Sequence, residues 1–182
     1  MYDRNALLQL IQGQALKTGH FVLASGKEAT YYLDCRQVTL DARGANLIAE
    51  GMLELLARQM PDAVGGMAIG ADPITAAIIT VAGQRGIPVR GFIVRKEAKK
   101  HGRGRAVEGP VQAGQHVVIV EDVVTTGGSS LKAIEQAEAF GLIVDRVIAI
   151  VDRLEGGREA FEQAGYRLET LLTIEDLGIA TP

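Results

Sequence analysis

The chain has one cysteine, no long apolar run and no excess of positive charge, and each shortage removes a class of protein. Cys35 is alone, so no internal disulfide can close and the expected compartment is a reducing one. With no histidine nearby to act as its base, Cys35 reads as a buried small residue rather than a nucleophile. A membrane helix needs about 20 consecutive apolar residues, and the sequence supplies no such run; residues 1–20 also lack the basic-then-apolar pattern of a leader. The expectation is a soluble, cytoplasmic protein with no membrane partner. A formal net charge of −3 argues against nucleic acid as a partner. His20 and His116 have no second ligand at metal spacing and read as structural. No Walker loop occurs, and the nearest approach to a dinucleotide Gly-x-Gly-x-x-Gly, at Gly102 and Gly104, has Val107 where the third glycine should fall. Internal repeats, low-complexity tracts and dividing linkers are absent as well.

At 182 residues, 47% of them hydrophobic, the chain suits a single domain with a substantial core. Apolar residues Ala6, Leu7, Leu10, Ile11 and Ala15 fall on one face of a helix over Asn5–Leu16. Phe21–Leu23 and Tyr31–Leu33 read as short strands about a turn at Ser25-Gly26-Lys27. Asp41 is placed to cap a long helix reaching about Gln59, with Leu47, Ile48, Gly51, Met52, Leu55 and Leu56 inward. From Val64 onward, strands and helices alternate: Val64–Ile69, a helix opened by Asp72-Pro73, Val89–Val94, and again through Val117, Ser129, Val144, Gly157 and Leu168. Such alternation predicts βαβ units and an α/β fold with a largely parallel central sheet flanked by helices.

The most informative stretch is Val117 to Ser130. Val117–Val120 is apolar without alternation, as in a strand covered on both faces. Glu121 and Asp122 are expected at its carboxyl end, where open α/β sheets bind ligands. Two like charges at a buried strand end are costly unless they meet a ligand or metal, or share a proton. Thr125, Thr126, Gly127, Gly128 and Ser129 follow, a turn whose glycines let successive backbone N–H groups surround an anion at a helix N-terminus. Taken alone, Thr-Gly-Gly-Ser is a turn and a cap; the neighbouring carboxylates point instead to a phosphorylated sugar.

Charge is unevenly spread. Residues 95–105 carry +5 and the remainder −8. Gly102 and Gly104, with no apolar periodicity, make this a mobile loop rather than a helix. A solvated charge run is the usual explanation, but beside a phosphate site it suits a polyanion whose leaving charge it would stabilise.

The run from four apolar residues through Glu121-Asp122, Val123-Val124 and Thr125 to Ser129 resembles the phosphoribosyl-diphosphate (PRPP) signature of type I phosphoribosyltransferases. The resemblance implies that family's fold with a small N-terminal hood, here about residues 1–40, over a core of about 41–182. It implies Glu121 and Asp122 on the ribose hydroxyls, Asp122 counted among the catalytic residues, and Val123 to Ser129 around the 5-phosphate. Arg95-Lys96-Glu97-Ala98-Lys99-Lys100-His101-Gly102 resembles the catalytic loop of orotate phosphoribosyltransferases. By position Arg95, Lys96, Lys99 and His101 become diphosphate contacts, with Lys99 the catalytic lysine. That loop reaches into the neighbouring subunit in the family, implying a homodimer; Arg103 stands where relatives often have an acidic residue. Gly70-Ala71-Asp72-Pro73 is either an N-cap with a following proline or the family's second, diphosphate-side loop. Arg153, after the strand Val147–Val151, is a surface ion-pair partner on the ordinary reading; by resemblance it grips the carboxylate of orotate as a planar fork, with Thr125 also on the base. Phe21 to Gly26 and Tyr31-Tyr32 resemble the hood, Ala24 replacing a lysine of some relatives. PRPP and orotate are the implied substrates, with Mg²⁺ held by substrate oxygens and water rather than by a protein cage. The other readings are a phosphoribosyltransferase for a different base and a PRPP-sensing regulator without catalysis.

Overall fold

The computed structural model describes residues 2–22, 28–97 and 106–181. Helix α1 (Arg4–Leu10) begins where the Asp3 carboxylate accepts the Ala6 amide at 2.9 Å, and a single π-helical turn, Ile11–Ala15, continues it. Leu7 and Ile11 pin this segment to the core. Strands β1 (Leu16–Val22) and β2 (Glu28–Leu33) then form an antiparallel pair of their own, longer than the sequence pattern suggests because the backbone pairing extends past the apolar residues. The expected turn at residues 25–27 lies outside the described residues, as does Ala24.

After a short helix α2 (Arg36–Thr39), Asp41 caps helix α3 (Ala42–Leu56) by accepting the Gly44 amide at 2.9 Å. Ile48, Gly51, Met52 and Leu56 face inward as their spacing predicts. The remaining elements alternate: β3 (Ala63–Met67), α4 (Ala71–Gln84), β4 (Arg90–Val94), β5 (Val107–Glu108), β6 (His116–Val124), α5 (Gly128–Phe140), β7 (Ile143–Asp152), α6 (Gly157–Gln163) and β8 (Leu168–Thr173).

These strands make one sheet in the order β5-β4-β3-β6-β7-β8, parallel throughout except for the β4–β5 pair. Because β4 lies on one side of β3 and β6 on the other, the winding reverses between β3 and β6. A crevice opens at such a point above the carboxyl ends of the strands. Alternate residues of β6 feed the two faces: Val118 and Val120 pack with Ile48, Met52 and Ile78, and Val117 and Ile119 with Ala133, Ile134 and Phe161. Burial on both faces explains the lack of alternation in the sequence. At the other end of the sheet Arg146, 2% exposed, pairs with Glu169 at 3.1 Å and donates to the Gln59 carbonyl at 3.1 Å, tying β7 to β8 and to the chain beyond α3.

Candidate active site

The ladder between β6 and β7 continues through Glu121–Ala149 to Val124–Asp152. Glu121 and Asp122 therefore lie inside β6 rather than beyond its end, held by sheet hydrogen bonds in a fixed orientation. Glu121 is buried; its Oε2 accepts the Ser130 hydroxyl at 2.8 Å and its Oε1 the Asp122 amide at 3.2 Å. Asp122 Oδ1 accepts the Val123 amide at 2.8 Å. Burial, and then the adjacent Asp122 charge, push the Glu121 carboxyl up to about 8, with the Ser130 bond opposing them.

Across the switch point, the backbone at Ala68–Gly70 runs against this pair, the Ala68–Ile69 peptide being cis. A Cβ added to Gly70 would sit 2.9 Å from Asp122 Oδ1 and 3.2 Å from Glu121 Oε1, so only a glycine leaves both carboxylates where they are. The expected cap at Asp72 requires correction. Helix α4 starts at Ala71 with Gly70 as N-cap and no side-chain cap bond, which puts Asp72 in the first turn and Pro73 third. The sequence Asp-Pro mimics a cap and first-turn proline, but the winding starts earlier. Among the described residues, buried Asp72 Oδ1 has no hydrogen-bond partner, and burial raises its carboxyl.

Two adjoining cavities share Glu121, Val123 and Ser129, and Asp122 lines the first of them. One, of about 280 Å³, lies between Glu121 and Asp122, the loop at Ile69–Gly70, Lys96 and the segment Asp34–Arg36. Cys35, on its wall, is buried, and burial pushes its thiol up, which fits the inert role expected of it. The second cavity, of about 320 Å³, is enclosed by Val123, Val124 and the Thr125–Ser130 turn. Gly127 caps α5 in the left-handed conformation (φ 79°) with no side-chain bond. The first-turn N–H groups at Gly128, Ser129 and Ser130 precede the helical ladder, which starts with the Leu131 amide on the Gly127 carbonyl at 2.9 Å. This is the arrangement that binds phosphate at a helix N-terminus.

Arg95 and Lys96 leave β4 at the same end of the sheet. Lys96 reaches the first cavity, while Arg95 Nη1 stands 3.7 Å from Glu108. Lys99 and His101, the other basic-loop residues singled out by sequence, lie outside the described residues, as does Arg103.

The Arg153 amide bonds the Val124 carbonyl at 2.9 Å, so Arg153 stands beside the start of the Thr125 turn. Its guanidinium lies 4.9 Å from the centre of the Tyr31 ring, and Nε donates to the Tyr31 hydroxyl at 2.8 Å. The two-stranded unit thus touches the sheet at Arg153. His116 pairs with Asp145 at 2.7 Å, away from this cluster, and the Asp145 carboxylate raises its imidazole. Among the described residues, no group of three metal-ligating side chains is assembled, and no helix is long and apolar enough to cross a membrane.

Sequence reasoning missed Ser130, whose hydroxyl holds Glu121; the doubled serine at the start of α5 was its only signal. Asp34 to Arg36 also escaped notice as cavity wall, because nothing local distinguishes them from a surface turn. Asp152, fully buried and paired with Arg158 at 3.2 Å, shapes the loop that carries Arg153.

Scanned against models of known protein families, the chain matches none. Individual relatives are close. It is 57% identical to the orotate phosphoribosyltransferase of Rhodopirellula baltica, over 97% of this chain and 95% of the relative, and 44% identical to that of Aquifex aeolicus, over 97% and 98%. Among solved structures it is similar to Mycobacterium tuberculosis orotate phosphoribosyltransferase in complex with Fe(III) dicitrate, with TM-score 0.88 and 41% identity over 97% of this chain and 99% of that one. The same mycobacterial enzyme in complex with PRPP aligns with TM-score 0.83 and 36% identity, over 97% and 99%. At these identities and near-complete coverage, the chain belongs to the orotate phosphoribosyltransferase family.

Proposed function

We propose that the chain catalyses reversible, Mg²⁺-dependent transfer of the 5-phosphoribosyl group from PRPP to orotate, giving orotidine 5-phosphate and diphosphate in pyrimidine nucleotide synthesis. The observation that carries this reading is the pair of cavities that meet at Glu121, with Asp122 on the wall of the first and the Thr125–Ser130 turn around the second. A ribose over the carboxylates directs its 5-phosphate to the Thr125–Ser129 turn and its diphosphate to the loop at Gly70 and to Lys96. The hydrogen-bond acceptors on β6 suit the 2- and 3-hydroxyls, and the turn's N–H groups suit a dianion.

Catalysis on this plan is positioning and electrostatics, with no covalent enzyme intermediate. Asp122 orients the ribose and faces the positive charge that develops on an oxocarbenium-like sugar. Arg95, Lys96, Lys99 and His101 stabilise the departing diphosphate, Lys99 foremost. The base, held by Arg153 and Thr125, attacks from the opposite face and inverts the anomeric carbon. Hard carboxylate oxygens beside a diphosphate subsite fit Mg²⁺, an ion that keeps several waters and takes few protein ligands. When bound it would neutralise diphosphate charge, with Glu121 and Asp122 the nearby carboxylates. Residues 1–40 act as a hood on a core of 41–182, in one cytoplasmic domain. The working unit is a homodimer that shares the basic loop, a reading supported by the exposure of Ile69 and Ile93 beside the loop's base.

Turnover with PRPP and each of orotate, uracil, adenine and hypoxanthine tests the assignment. Activity with orotate is expected; activity confined to a purine would sink it.

A further inference from the structure

Arg153 already has an anionic partner. Its Nη2 stands 2.7 Å from Glu155 Oε1, and the Tyr31 hydroxyl accepts from Arg153 Nε at 2.8 Å while donating to the same Glu155 oxygen at 3.3 Å. The three groups close a ring. Loop geometry makes this contact. Asp152 anchors the turn, one oxygen accepting the Leu154 amide at 2.9 Å and the other the Arg158 guanidinium at 3.2 Å. Leu154 at φ 57° and Gly156 at φ 89°, both left-handed, then fold the chain back so that Glu155 returns over Arg153. A non-glycine residue in that region is uncommon and persists only where its surroundings hold it.

The partners differ in freedom. The Arg153 side chain is 24% exposed and Glu155 42%. Tyr31 anchors Arg153 independently, through the Nε bond and the ring beneath the guanidinium. Glu155 can therefore swing into water while Arg153 stays aimed, and an incoming carboxylate can take its place with no net change in the type of bond made.

We propose that Glu155 is an intramolecular placeholder for the carboxylate of the acceptor base: it occupies the Arg153 guanidinium and must be exchanged for the substrate's carboxylate, so it sets how tightly a carboxylated base binds. The proposal rests on the reading of Arg153 as the contact to the base. Because the pair is partly exposed, the competition it offers is modest, a factor of about 2–5.

Glu155→Gln keeps the shape and removes the charge. At saturating PRPP, the variant should lower the KM for orotate about 2–5-fold, leaving unchanged the inhibition constant of uracil, which has the ring but no carboxylate. An unchanged or higher KM for orotate overturns the proposal, since a Glu155 that merely orients Arg153 gives that result. An equal gain for uracil also overturns it, because the effect would not act through the carboxylate. Arg153→Met is measured alongside: a wild-type KM for orotate there refutes the Arg153 reading itself and the placeholder with it. A raised KM in that variant, with no gain in Glu155→Gln, refutes the placeholder alone.

Discussion

Replacing Glu121 by glutamine should make the ligand-free protein more stable at high pH while weakening its hold on PRPP. The side chain is only 7% exposed, next to a second carboxylate, and burial is the larger of the two causes that raise it from 4.5 to about 8. Ionisation is thus harder in the folded chain than in the unfolded one. The stability that goes with the neutral form is complete below about 4.5 and is lost as pH rises through about 8. At about 1.4 kcal/mol per pH unit the loss has a ceiling of about 5 kcal/mol; sharing of charge with Asp122 reduces it, to roughly 2–5 kcal/mol. For a chain of this size each kcal/mol moves the Tm by about 2–4 °C, so the wild type should melt roughly 4–20 °C lower at pH 9 than its Glu121→Gln variant. At pH 5.5 the gap should have shrunk to about 1 kcal/mol, as glutamine keeps an oxygen to accept the Ser130 hydroxyl. The assay is thermal unfolding of both proteins at half-unit steps from pH 5.5 to 9 without substrate. Parallel curves over that range would refute the reasoning, because they would mean that Glu121 ionises as readily folded as unfolded.

Four further outcomes follow from the same structure. Gly70→Ala puts a methyl 2.9 Å from Asp122 Oδ1; at φ −58° the backbone is unstrained, so Tm should hold while the KM for PRPP rises severalfold, and an unchanged KM would count against this approach. Gly127→Ala must adopt φ 79° and push on Phe161 at 3.1 Å, for a loss of about 1–3 kcal/mol in urea unfolding together with weaker PRPP binding. Lys99→Ala should reduce kcat by about 10²–10³ if that lysine meets the departing diphosphate; wild-type turnover would remove it from the mechanism. Arg146→Ala, far from the crevice, should lower stability by about 3–5 kcal/mol and leave both KM values alone.

The elements legible in the sequence were those with a local cause. Asp41 caps α3 where its spacing predicts, and the unbroken apolar run of Val117–Val120 marks a strand covered on both faces. The Thr125–Ser129 turn was equally plain, since its glycines, its hydroxyls and the helix they open are adjacent in the chain. Features made by distant residues were not legible. Ser130 gains its role only because β6 and α5 bring it to Glu121, and Arg146 finds Glu169 and the Gln59 carbonyl through three separate elements. Asp72-Pro73 carried a genuine capping pattern and still misplaced the helix start, because the chain at Gly70 is already wound while it passes the carboxylates.

In the proposed assignment, donor and acceptor are held by different physical means. On the donor side the grip is largely backbone: N–H groups at the start of α5, the close pass of Gly70, and carboxylates fixed by a strand ladder that continues beyond them. Such parts change little with side-chain substitution, which suits a ligand common to a whole class of enzymes. In the same proposal the acceptor side depends on one arginine, Arg153, which is braced by a tyrosine from the other sheet and covered by a glutamate from its own loop. Each of those side chains can change without disturbing β6 or β7. If Arg153 holds the base as proposed, choice of base is the more easily altered property, decided where the two-stranded unit meets the turn after β7.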